Sequence, residues 1–101
     1  MTCNCVSEHR PTPSTFERHH ILPLAWGGSD DPDNVVSLCP TTHSDTHKLL
    51  REYRRLMEAP PWEFRRHYGY TARRLAFNAW QAWTAEHGDE KPPRTFQHPD
   101  K

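Results

Sequence analysis

The stretch RHHILPLAWGGSDDPDNVVSLCPTTHSDTH, from Arg18 to His47, decides how this chain is read. As spacing it is H-H-x13-N-x8-H-x3-H, carried by His19, His20, Asn34, His43 and His47, with Gly27-Gly28 and a proline-bounded loop between the halves. His43 and His47 stand i, i+4 where a helix should begin, so both imidazoles leave one helix face a turn apart and can close on one cation. Such a pair needs a third ligand. His19 and His20 lie in a short apolar segment ending at Pro23, which reads as a strand, and neighbouring strand side chains point to opposite faces. One of the two can therefore ligate while the other does chemistry.

The flanks of this stretch give it elements. Residues 18–22 and 35–38 are expected as two short antiparallel strands, favoured by the β-branched Ile21, Val35 and Val36. The loop between them is longer than a tight hairpin and needs something to hold it. Asn34 is either an amide that bonds backbone groups across the loop or an ordinary turn residue. After Pro40 a helix is expected, with Thr42 as N-cap and Asp45 completing a capping box, ending before Pro60-Pro61. On that helix Leu49, Leu50, Tyr53, Leu56 and Met57 form an apolar stripe expected to pack on the hairpin. Lys48, Arg51, Arg54 and Arg55 offer either a phosphate-binding face or a solvated helix surface.

These residues resemble the HNH endonucleases of the ββα-metal fold, which include the colicin-type DNases and many phage nucleases. The likeness covers roughly Cys3 to Tyr53, and its elements HHILPLAWGG, DNVVSLC and THSDTHKLL occur in the family's order. By position the resemblance implies that His19 is the first metal ligand, often an aspartate in the family. It makes His20 the general base, Asn34 the residue pinning the loop, and His43 and His47 the two helical ligands. It further implies a one-metal hydrolysis of DNA leaving 5′-phosphate and 3′-hydroxyl ends. Three imidazoles suit zinc, nickel or manganese on softness, and magnesium retaining several waters stays open.

Many members of the family also hold an N-terminal arm with a structural zinc on two C-x-x-C pairs. Here the first is C-x-C, and the second reads Cys39-Pro-Thr-Thr42. A tetrahedral second site would therefore take Cys3, Cys5, Cys39 and, as fourth ligand, His9. The other readings are unligated cysteines in the arm and a small buried Cys39.

Bulk properties bound the rest. With 101 residues, 34% hydrophobic content and ten prolines, the chain suits one small domain with a thin core. The expected fold class is small α+β, a two-stranded hairpin plus metal-bearing helix with added C-terminal helices. Residues 1–88 form one domain: an arm over 1–17, the ββα-metal core over 18–59 and a helical extension over 61–88. The extension is expected to follow Pro61, restart at a Thr71 cap and stop at Gly88, with Ala72, Leu75, Ala76, Ala79 and Trp83 at helical spacing. Polar residues 89–101 are expected to be disordered.

Thirteen basic residues balance thirteen acidic ones. The distribution matters more than the total: basic residues gather between Lys48 and Arg74, while Asp30, Asp31 and Asp33 crowd the loop. No apolar run approaches membrane-spanning length and no signal-peptide core is visible, so a cytoplasmic protein is expected. In that reducing compartment three cysteines argue against a disulfide framework. DNA is the expected partner, with the oligomeric state left open and a monomer among the alternatives. The rival from another class is a non-cleaving, zinc-dependent DNA-binding or assembly module, for instance an accessory working with phage packaging proteins. A base beside the ligand set favours the enzyme.

Overall fold

Two short strands and three helices follow one another in a computed structural model that describes residues 16–96. Strand β1 spans Glu17–His20 and pairs antiparallel with β2, Val35–Leu38, in the register Glu17 to Leu38, Arg18 to Ser37, His19 to Val36 and His20 to Val35. Directly opposed residues share a face, so His19, Val36 and Leu38 look inward together. β1 starts one residue before the expected 18–22 and stops two residues sooner. Leu22 precedes Pro23, and the chain then turns through a short 3-10 segment, Leu24–Trp26, closed by Gly27 at φ 97.

Helix α1 runs Pro40–Leu56 and begins earlier than expected. Pro40 sits at the first helical position, where its fixed φ suits the helix and its missing N–H costs nothing, so Cys39 becomes the cap residue. Thr42 is not the N-cap; it is buried inside the first turn, where its carbonyl accepts the Thr46 hydroxyl at 2.8 Å and its own hydroxyl meets the Cys39 thiol at 3.4 Å. Met57, at φ 57, ends the helix in the left-handed region. Helix α2, Trp62–Arg65, follows Pro61, and α3, Tyr70–His87, starts after Gly69 and stops at Gly88. Thr71 thus lies inside α3 and is not its cap.

The core corrects one packing expectation. Leu49, Leu50 and Tyr53 face α3 and the inter-strand loop, forming one cluster with Trp26, Ala72, Ala76, Ala79, Trp80 and Trp83. Four-residue strands offer too little apolar face for the whole stripe. The alanines of α3 let the helices approach closely, and the Tyr53 and Trp80 rings meet at 5.6 Å.

The expectation of disorder from residue 89 does not hold for residues 89–96. Buried indoles need acceptors, and this segment supplies them: Trp83 Nε1 donates to the Glu90 carbonyl at 2.7 Å and Trp26 Nε1 to that of Pro93 at 3.0 Å. Arg54 Nε donates to the Pro92 carbonyl at 2.7 Å, and the Phe96 ring lies 5.7 Å from Trp26. Proline-rich polarity hid this, because prolines bring carbonyl acceptors and low chain entropy without an N–H to satisfy. Residues 97–101 and residues 1–15 of the expected arm lie outside the described residues. Among the described residues no helix is long and apolar enough to cross a membrane.

Candidate metal centre

Strand alternation separates the paired histidines. His19, 1% exposed, points beneath the sheet toward α1, whereas His20 is half-buried on the other side. From the first two turns of α1 come His43 and His47, their rings 4.5 Å apart. The His19 ring lies 5.1 Å from that of His43 and 5.5 Å from that of His47. One ligating atom from each of these three residues falls within 4.8 Å of the others.

Both ring nitrogens of His19 are buried and have no hydrogen-bond partner among the described residues. A buried polar atom left unsatisfied costs on the order of 1–3 kcal/mol, so a native fold normally provides it with something. Burial, then the nearby His43, His47 and His20, pushes the His19 pKa from 6.5 down to about 3. Burial, then His43 and Arg51, lowers that of His47 to about 4, against a smaller opposing pull from Glu17. Neutral imidazoles are the metal-binding form. An orphaned nitrogen donor next to two converging imidazoles fits a divalent cation of borderline softness.

Glu17 orients one member of the trio. Its Oε1 lies 2.7 Å from His43 Nδ1, which leaves Nε2 as the nitrogen available to a cation. Beside the trio a cavity is lined by Arg18, His20, Pro23, His43, His47 and Phe96. His20 therefore borders the same space as two of the candidate ligands while staying outside their set.

Asn34 spans the loop with three hydrogen bonds. It accepts from Leu22 N at 2.9 Å and donates to the carbonyls of Leu22 at 3.0 Å and Ser29 at 2.8 Å. Gly28 is what lets the loop close onto Leu22 and Asn34: a Cβ there would stand 1.8 Å from the Leu22 carbonyl oxygen and 2.9 Å from Asn34 Nδ2. In the same loop Asp30 Oδ1 sits 2.8 Å from His20 Nε2 and 3.2 Å from Arg18 Nη2.

The basic residues of α1 diverge. Lys48 and Arg51 are exposed, and the Arg51 guanidinium lies 5.4 Å over the Phe96 ring, which itself packs 4.6 Å from His47. Arg54 is turned to Pro92, and Arg55 is paired with Glu52 at 2.7 Å. Cys39 is buried at the mouth of α1, while Cys3, Cys5 and His9 lie outside the described residues.

Reading the sequence missed Glu17, Asp30 and Phe96. Glu17 had a signal, being two strand positions before His19 and so on its face. Asp30 and Phe96 had none, since an irregular loop and a proline-rich segment carry no period from which a direction can be inferred.

Residues 2–49 match the family described as HNH endonuclease. The chain is similar to a probable mobile endonuclease C of Enterobacteria phage T4, at 48% identity over 44% of this chain and 21% of that protein. It is likewise similar to a type IV methyl-directed restriction enzyme of Escherichia coli (strain K12), at 52% identity over 32% of this chain and 12% of that enzyme. Anaredoxin of Nostoc sp. is 47% identical over 30% of this chain and 40% of its own length. The chain thus spans a minor part of the curated relatives it matches. No solved structure matches it.

Proposed function

We propose that this chain, whose residues 2–49 match the family described as HNH endonuclease, hydrolyses DNA phosphodiester bonds, with a divalent metal on His19, His43 and His47 and with His20 as general base. One observation carries the reading: His19 buries two ring nitrogens that have no partner among the described residues, against two further imidazoles whose ligating atoms lie within 4.8 Å. A structural residue buried so deeply would be expected to have a protein partner. Relatives named as endonucleases support the substrate class.

Each side chain then has a task. His19, His43 and His47 would hold the divalent cation, which when bound would supply Lewis-acid stabilisation of the charge developing on the phosphoryl group. His20, in the cavity wall, takes a proton from the attacking water. Asn34 keeps the loop beside that cavity in place. Arg18, which lines the cavity, and the exposed Lys48 and Arg51 contact phosphates. Arg54 and Arg55 are left to the fold and to Glu52. A second, structural zinc on Cys3, Cys5, His9 and Cys39 is proposed from their donor chemistry.

Supercoiled plasmid incubated with the protein and, separately, Mg2+, Mn2+, Ni2+ or Zn2+ tests the reading. Conversion to the relaxed or linear form with at least one ion is expected. Binding of plasmid without conversion under any of them would replace the nuclease with a DNA-binding module.

A further inference from the structure

The loop between the strands delivers a carboxylate to His20, and its anchoring explains how. Asn34 fixes the Ser29 carbonyl at 2.8 Å, the backbone N–H of Asp31 donates to the Ser29 hydroxyl at 3.4 Å, and Gly28 is pressed against Leu22. Asp30 lies between these tethered neighbours. Its Oδ1 reaches His20 Nε2 at 2.8 Å while Arg18 Nη2 approaches the same oxygen at 3.2 Å. An ionised carboxylate only accepts hydrogen bonds.

A neutral imidazole has one N–H and one lone pair. With Nε2 committed as donor to Asp30, the lone pair resides on Nδ1. We propose that Asp30 is a positioning residue for His20: its carboxylate holds the ring in the Nε2–H tautomer and makes Nδ1 the nitrogen that accepts the water's proton. The proposal rests on the assignment of His20 as general base and goes beyond it by naming the group that sets the base's tautomer and orientation. Proton uptake at Nδ1 gives an imidazolium whose Nε2–H still faces the carboxylate, so Asp30 stabilises the charge formed in the step without taking a proton itself. The chain of dependence runs from Asn34 through Ser29 to Asp30 and on to His20. An asparagine remote from the reacting atoms thereby affects the base.

Long-range nitrogen–proton NMR spectra of the His20 ring, assigned by its loss in His20→Ala, report the tautomer directly. They would be recorded at pH 8 with and without Zn2+. The wild type should show the Nε2–H form, and Asp30→Ala should show a tautomer mixture. In plasmid cleavage Asp30→Ala should lose about 10–100-fold in kcat, with KM for DNA and affinity for Mn2+ nearly unchanged. Asp30→Asn, which keeps an acceptor oxygen without the charge, should retain the Nε2–H form and recover part of the rate. An unchanged tautomer in Asp30→Ala, or an Nδ1–H ring in the wild type, would overturn the proposal. So would a rate loss matched by an equal loss of Mn2+ affinity, because Asp30 would then be supporting the metal centre. If the wild type fails to cleave, the nuclease reading falls by itself, and the tautomer spectra still decide for or against Asp30.

Discussion

Along β1 a single residue step changes what a histidine is for. His19 is turned under the sheet toward the His43 and His47 rings, and His20 is turned to a cavity and a carboxylate. His43→Ala and His47→Ala should each weaken Mn2+ or Zn2+ binding by at least an order of magnitude and lower activity in step, because ligand loss also removes the metal's share of folding energy. Titration calorimetry on both variants checks this, and unchanged affinity in both would discard the ligand trio. The histidine spacing was legible because strand and helix periods are rigid rules. Glu17, whose carboxylate holds His43 Nδ1, escaped because β1 starts one residue earlier than its apolar pattern indicates. Asp30 escaped because three acidic residues in a loop look alike until Asn34 and Gly28 fix which one faces the strand.

Helix α1 serves three masters at once: two histidines of the candidate metal site, Leu49, Leu50 and Tyr53 for the core, and a basic face. The helix was readable from its 3.6-residue period, but its start was not, because Pro40 as first residue competes with Thr42 as cap and prevails. Nor could the period tell that the apolar stripe meets α3, since it reveals a buried face without naming the neighbour. Arg54 and Arg55 read as phosphate ligands in sequence, yet their donors go to Pro92 and Glu52. Lys48 and Arg51 stay exposed and are the proposed phosphate contacts. A Lys48→Ala, Arg51→Ala double variant should bind all DNA sequences more weakly, and its salt dependence should flatten by about one unit of slope per lost phosphate contact. Weakening confined to one sequence, measured by fluorescence anisotropy at several salt concentrations, would make them base readers.

At the scale of the whole molecule, a thin core is closed by residues 89–96, whose carbonyls satisfy two tryptophans and an arginine. The α+β class with added helices was legible; this closing segment was not, because its hydrogen bonds use main-chain atoms that composition does not register. The buried His19 and half-buried His47 give the fold an acid limit. His19 and His47 titrate near 6.5 when unfolded but near 3 and 4 when folded, so the unfolded chain binds more protons between those values. Stability in the presence of a chelator should therefore hold above pH 6.5 and fall progressively toward pH 4, as denaturant melts at stepped pH would show. A flat profile would mean that these rings are not buried. For the N-terminal arm, a Cys3→Ser, Cys5→Ser variant should lose one zinc per chain and melt at lower temperature while the histidine site keeps its cation; unchanged zinc content would remove the structural site. The central claim, a metal-dependent nuclease with a separate histidine base, is tested most directly by measuring metal occupancy and plasmid cleavage on the same sample of His20→Ala. Full occupancy with cleavage reduced at least about 100-fold is the predicted result, and wild-type cleavage, or loss of the metal along with the activity, would contradict it.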